Sequence, residues 1–285
     1  KVIGFLDKDY PDRLKNIYAP PCVLYVKGEI LPQDDIAVAI VGSRKASFYG
    51  TRTAERLGFE LASRGITVVS GLARGIDSSA HQGALKAKGR TLAILGSGLL
   101  NIYPEEHASL AERISKGGAV ISEFPMMTIP DKGNFPKRNR IISGLSMGVV
   151  VVEAAERSGA LITADFAINE GRDVFAVPGK VDSRSSKGTN RLIKQGAKLV
   201  ENVEDILGDL GLEIQTAFKD KQDFFTPTLD KDQTLVYNLV STDSIHIDEL
   251  SEVSGIGLSG LSRILLDLEM RKLVRQLPGK NFVRV

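Results

Sequence analysis

Between residues 36 and 200, short apolar, β-branched runs recur at 36–41, 66–70, 91–95, 119–123, 149–153, 174–177 and 198–200. Most are apolar along nearly their whole length, without the alternation expected of a strand that has one wet face. Such strands must be covered on both sides, which is the situation of parallel strands sandwiched between helices. The intervening segments supply those helices. In residues 53–63, for instance, Ala54, Leu57, Leu61 and Ala62 recur at helical spacing. Strand–helix alternation of this length implies an α/β fold with a doubly wound, mostly parallel sheet. The residues before 36 include Pro11, Pro20, Pro21 and Pro32 and read as a short extended lead-in.

The pattern degrades after residue 208. Gly208, Gly211, the charged run 219–223 and Pro227 mark a linker over 209–229, between a domain at 1–208 and a second at 230–285. The second domain reads as helices at 232–240, 248–254 and 258–271, the last with Leu261, Ile264, Leu265 and Leu268 on one face. Residues 273–276 and 281–285, around Pro278 and Gly279, read as a hairpin. Three helices and a hairpin make a small C-terminal winged-helix domain. Seven cations between 231 and 285 are matched by seven acids, so this domain lacks the basic excess of a DNA-reading module. Protein contact or regulation is favoured over DNA contact as its duty. The whole chain carries a formal charge of only +2, so any nucleic-acid binding must come from local clustering.

One stretch is clustered in that way. Lys132, Gly133, Asn134, Phe135, Pro136, Lys137, Arg138, Asn139 and Arg140 put four cations and one ring together, with only Asp131 as a nearby carboxylate. Cations for phosphate beside a ring for a base are the ingredients of a single-stranded nucleic-acid site. In doubly wound sheets ligands bind where the loops converge beyond the carboxyl ends of the strands. Four such loops here are unusual. After the first run come Gly42, Ser43 and Arg44, and an arginine in such a turn calls for an anion. After the second come Gly71 and Gly75, with Asp77 placed to cap the next helix. After the third come Gly96, Ser97 and Gly98, rich in backbone donors. After the fifth come Ser158 and Gly159 at the start of a helix over 161–170, where amides attract anions.

Chemistry is poorly supported. No G-x-x-x-x-G-K-[ST] loop is present, and position 44 breaks the dinucleotide fingerprint. The residues from Gly144 to Gly148 match G-x-S-x-G, but a helical segment precedes them and a strand follows, the reverse of a hydrolase elbow. His81, His107 and His246 have no ligand spacing, and the single Cys22 makes neither a zinc site nor an intrachain disulfide. No catalytic residue, metal or cofactor is expected. Glu153, at the end of an apolar run, reads either as a general base or as an acceptor for neighbouring backbone donors. Nothing at the start resembles a signal peptide, and no apolar run is long enough to span a membrane, so a cytoplasmic protein without membrane contact is expected. The chain begins at Lys1 without Met, so further residues can precede it.

Taken in order, VGSRKASFYG, SGLARGIDSSAH, GSGLLNIYP, FPKRNRIISGLS, EAAERSGALITA, VFAVPG and GTNRLIKQGA resemble the DNA processing protein A (DprA, or Smf) family over residues 10–207. The resemblance implies an extended Rossmann-like domain that binds single-stranded DNA without base specificity and forms a homodimer. It further implies protection of incoming DNA during natural transformation and loading of the RecA recombinase, without chemistry on the DNA. Carried across by motif, the phosphate-gripping arginine falls on Arg44, flanked by Gly42 and Ser43, and the loop lysine and stacking ring fall on Lys132 and Phe135. Lys137, Arg138, Asn139 and Arg140 match the family's signature, Ser158 and Gly159 its R-S-G loop, and Gly71 its second glycine-rich turn. Some relatives carry a DNA-binding lysine after the Tyr-Pro pair, where this chain has Glu105 and Glu106, so that contact does not transfer. The winged helix matches an accessory domain of many members, and a helical N-terminal domain of some is not among these residues. The enzyme alternative is a nucleotide phosphoribohydrolase of the lysine-decarboxylase-like family, which shares a similar core. Its P-G-G-x-G-T-x-x-E signature is missing from residues 153–160.

Overall fold

The computed structural model describes residues 1–212, 229–241, 244–271 and 273–284. Two compact units are present. The first is built on a nine-stranded sheet: β1 (Val2–Gly4), β2 (Val23–Gly28), β3 (Ala37–Val41), β4 (Thr67–Ser70), β5 (Thr91–Ile94), β6 (Ala119–Ser122), β7 (Gly148–Val151), β8 (Asp173–Ala176) and β9 (Lys198–Leu199). The spatial order is β1-β2-β6-β5-β4-β3-β7-β8-β9. From β6 to β9 every pairing is parallel. The helices are α1 (Asp12–Lys15), α2 (Phe48–Ser63), α3 (Ile76–Lys86), α4 (Ala108–Gly117), α5 (Asn134–Gly144), α6 (Gly159–Asn169), α7 (Lys187–Lys194) and α8 (Val203–Asp209).

The continuous apolar runs are explained by two cores. In β3, Ala37, Ala39 and Val41 face one core, which also holds Leu14 of α1, Ile141 of α5, Leu161 of α6 and Leu192 of α7. Val38 and Ile40 face the other, with Leu57 of α2, Ile76 of α3 and Ile206 of α8. Each of the seven expected runs is a strand of this sheet, and the doubly wound α/β class is the observed one.

The lead-in reading of the first residues is corrected. Cys22 is followed by a true strand, β2, which pairs antiparallel with β6 and in turn carries β1. Leu24 and Val26 are buried while Val23 and Tyr25 are half-buried, the alternation of a strand covered on one face. The prolines lie outside these strands and shape the connections.

A buried histidine makes a pH prediction. Thr91 Oγ1 donates to Val68 O at 2.7 Å, so it accepts from His81 Nδ1 at 2.6 Å and leaves Nε2 as an unpaired acceptor. Burial, with smaller contributions from His107 and Arg138, pushes the His81 pKa down from 6.5 to about 3. The unfolded chain therefore takes up a proton below pH 6.5 that the folded chain refuses, and stability falls as pH drops towards 3. Urea unfolding of the parent and of His81→Gln should diverge below about pH 6, by ~1.4 kcal/mol per pH unit. Parallel acid limbs would remove His81 as the cause.

In the second unit, α9 (Lys231–Leu239), α10 (Ile247–Ser254) and α11 (Leu258–Met270) pack with a three-stranded sheet of order β10-β12-β11. The strands are β10 (Ile245–His246), β11 (Val274–Leu277) and β12 (Asn281–Arg284). Asp230 and Gln233 form a reciprocal capping box at the start of α9. Leu261, Ile264, Leu265 and Leu268 line the buried face of α11, as their spacing required. This is the expected winged helix. Of the expected linker over 209–229, residues 213–228 lie outside the described residues, and α8 extends to Asp209 before them.

Candidate nucleic-acid interface

From β3 the chain winds outward through β4, β5 and β6, then returns to place β7 on the other side of β3. The strand order thus reverses between β3 and β7, which opens a crevice beyond their carboxyl ends. The loops after β3 and β7 meet there. Ser43 N donates to Glu153 O at 2.7 Å, and the Glu153 carboxylate accepts from both the amide and the hydroxyl of Ser47, the residue that caps α2. Glu153 is buried and used as an acceptor for the neighbouring loop, the second of its two expected roles. Gly42 lies between Ile76 and Glu153, and the Ser43 hydroxyl accepts from Lys45 N.

Arg44 is exposed, and its guanidinium carbon stands 4.9 Å from the centroid of the Phe135 ring. Phe135 is half-buried in the first turn of α5, so it is not in a loop preceding the helix as expected. Asp131 starts that turn: its carboxylate accepts from Gly133 N at 2.7 Å, and its carbonyl from Asn134 N. Pro136 is tolerated because amides of a first turn lack helical partners anyway. The ring lies against Gly96, where a Cβ would meet Phe135 Cδ1 at 2.6 Å. Gly96 therefore makes room for the ring. In the loop after β5, Gly98 N donates to Thr128 O, so that one of its backbone donors is already used. Tyr103 also packs on Phe135, with ring centroids 5.6 Å apart and the planes tilted by 43°.

The basic signature divides. Lys132 and Lys137 are exposed, and among the described residues no carboxylate pairs with them or with Arg44. Arg138 points inward and is 4 % exposed. Its Nη1 donates to Gly71 O at 2.7 Å and to Ile94 O, and its Nε to Asn139 Oδ1. A Cβ at Gly71 would lie 2.6 Å from the guanidinium, so a side chain there would push Arg138 out of its place. Beneath it sits Asp77, 5 % exposed, whose carboxylate accepts from Gly71 N and Ala73 N and attracts Arg138 electrostatically. Asp77 was expected to cap α3. It instead lies within that helix, whose N-cap is Gly75, and holds the preceding turn. Burial raises the Asp77 pKa and lowers that of Arg138 to about 10, so the arginine remains charged at neutral pH.

Asn139 is buried, and its Nδ2 donates to Gly159 O at 3.3 Å. Arg140 pairs with Glu123 in a half-buried ion pair. Arg138 and Asn139 thus anchor α5 to the loops after β4, β5 and β7, and Arg140 ties it to the end of β6. None of the three presents a free charged face to a strand lying over the crevice. Ser158 caps α6, its hydroxyl accepting from Ala160 N, and Gly159 is exposed beside it with nothing within 4 Å of a would-be Cβ. Tyr103 and the partnership of Asp77 with Arg138 were missed in the sequence. The Tyr-Pro pair was visible there, but nothing in it tells that its ring meets Phe135. Among the described residues, no cluster of His, Cys, Asp and Glu is arranged to hold a metal, and no helix is long and apolar enough to cross a membrane.

Residues 1–211 match the family described as DNA recombination-mediator protein A, and residues 223–280 match the DprA winged helix domain. The chain is 42% identical to Protein Smf of Escherichia coli K12, over 97% of this chain and 75% of that protein. It is 46% identical to DNA processing protein DprA of Bacillus subtilis, over 73% and 70% respectively. The X-ray structure of DNA processing protein A from Streptococcus pneumoniae superposes with a TM-score of 0.69 at 42% identity, covering 73% of this chain and 74% of that one. A structure of DNA processing protein A from Helicobacter pylori, described for its single-stranded DNA binding mode, gives a TM-score of 0.67 at 28% identity over 75% and 98%. With both of its units matched in sequence order, the chain belongs to the DNA recombination-mediator protein A family.

Proposed function

We propose that this chain binds single-stranded DNA without reading its sequence and, as a homodimer in the cytoplasm, protects incoming strands and delivers them to the RecA recombinase during natural transformation. The observation that carries the binding step is the exposed Arg44 guanidinium stacked 4.9 Å from Phe135 at the reversal of strand order. Arg44, Lys132 and Lys137 hold phosphates, the Phe135 face receives a base, and Ser158 and Gly159 present the start of α6 to the same crevice. The single-stranded DNA binding mode of the Helicobacter pylori relative supports this reading, and the name of the matching family supports the recombination step. The groups serve binding and not turnover, since Glu153, the carboxylate best placed for acid–base work, is engaged by Ser47.

Competition between oligo-dT and duplex of equal length tests the proposal. Duplex bases are already stacked on one another, so only an unpaired strand gives Phe135 a partner. Equal affinity for the two forms would sink it. Arg44→Ala and Lys132→Ala should each weaken binding whatever the base sequence. Each should also flatten log affinity against log salt by ~0.7, the contribution of one phosphate on a single strand. Unchanged slopes in both variants would show that these cations do not touch phosphate.

A further inference from the structure

Arg74 extends from the turn after β4, on the same edge of the sheet as Arg44. Its side chain is 56% exposed and ion-paired through Nε with Glu106, itself 51% exposed, in the short turn Glu105–His107. Tyr103 lies near enough to Arg74 to favour its charged form, and the Tyr103 ring is the one that packs on Phe135. Arg44, Phe135, Tyr103 and Arg74 therefore form one contiguous row, an arginine at each end and two rings between. Tyr103 is 39% exposed, so its ring is open to a second base. A single strand alternates phosphates with bases, and this row offers cations and ring faces in a matching sequence.

We infer that Arg74 is a further phosphate-binding residue of this interface, that Tyr103 is a second stacking surface, and that Glu106 holds Arg74 in reserve until a strand displaces it. This rests on reading the crevice as a single-strand interface. A phosphate and a carboxylate present similar oxygens to a guanidinium, so each excludes the other from the same edge. The pair is open to solvent, and exposed ion pairs are weak enough for a phosphate to replace them. Glu106 thereby lowers affinity without closing the site.

The experiment measures oligo-dT affinity against salt for the full chain and for Glu106→Gln, Arg74→Ala, the double variant and Phe135→Ala. Glu106→Gln should bind about two- to fivefold more tightly, the factor set by releasing an exposed pair. Its salt slope should steepen by up to ~0.7, because Arg74 then meets phosphate in full. The double variant should lose both gains. Wild-type affinity and slope in Glu106→Gln, or a gain that survives in the double variant, would overturn the inference. Phe135→Ala separates the two levels: if it weakens binding while Glu106→Gln changes nothing, only the role of Arg74 falls. If Phe135→Ala is itself without effect, the reading of the whole crevice falls with it.

Discussion

Arg138→Ala is expected to destabilise the Rossmann-like unit by about 3–5 kcal/mol, the cost of leaving the buried Asp77 charge without its neighbouring counter-charge. The guanidinium satisfies the carbonyls of Gly71 and Ile94 and faces Asp77, and all of this is out of water. Without it, Asp77 either stays charged with no counter-charge or must take up a proton, and two carbonyls lose their donor. Arg138→Met combined with Asp77→Asn removes both charges while keeping an acceptor for Gly71 N, and should recover a large part of the loss. Urea unfolding of the three variants is the measurement. An Arg138→Ala variant within about 1 kcal/mol of the parent would show that the buried arginine does not hold the unit together. The same series separates support from contact: where the double variant is folded, it should bind oligo-dT nearly as well as the parent. Binding that fails in the well-folded double variant would make Arg138 a phosphate ligand after all.

Phe135→Ala is expected to weaken single-strand binding by about 1–3 kcal/mol, the usual loss for one base–aromatic stack, and equally for every homopolymer. Phe135→Trp should retain binding, since it preserves a ring face over Gly96. The alanine variant also removes the surface on which Arg44 lies, so the two residues should not act independently. A double-mutant cycle of Arg44→Ala and Phe135→Ala should give a coupling of about 0.5–1 kcal/mol, the size of an exposed cation–π contact. Strictly additive losses would mean that the arginine is positioned without the ring. Retained affinity in Phe135→Ala would place the base-stacking surface elsewhere.

Much of the fold was legible because burial on both faces leaves a trace in composition. Residues 37–41 and 148–151 are apolar at every position since each strand separates two cores, and that condition alone implies helices on both sides. The winged helix was equally legible from the spacing of Leu261, Ile264, Leu265 and Leu268. Strand β2 was overlooked because prolines surround it and only one of its faces is buried, which gives a shorter and weaker pattern.

The residues that gather at this edge of the sheet were legible as a cluster, but their individual surroundings were not. Lys137, Arg138, Asn139 and Arg140 are one basic run in sequence, yet successive residues of a helix point about 100° apart, so neighbours in the chain face different surroundings. Lys137 faces water, Arg138 faces Gly71 and Asp77, Asn139 reaches Gly159, and Arg140 meets Glu123. Sequence by itself determined that charge would gather near the carboxyl ends of the strands and that glycine would line them. Only the tertiary structure decided which cations stay in water and which are spent inside on carbonyls and carboxylates, because a charge takes its role from the dielectric and the partners that packing places around it.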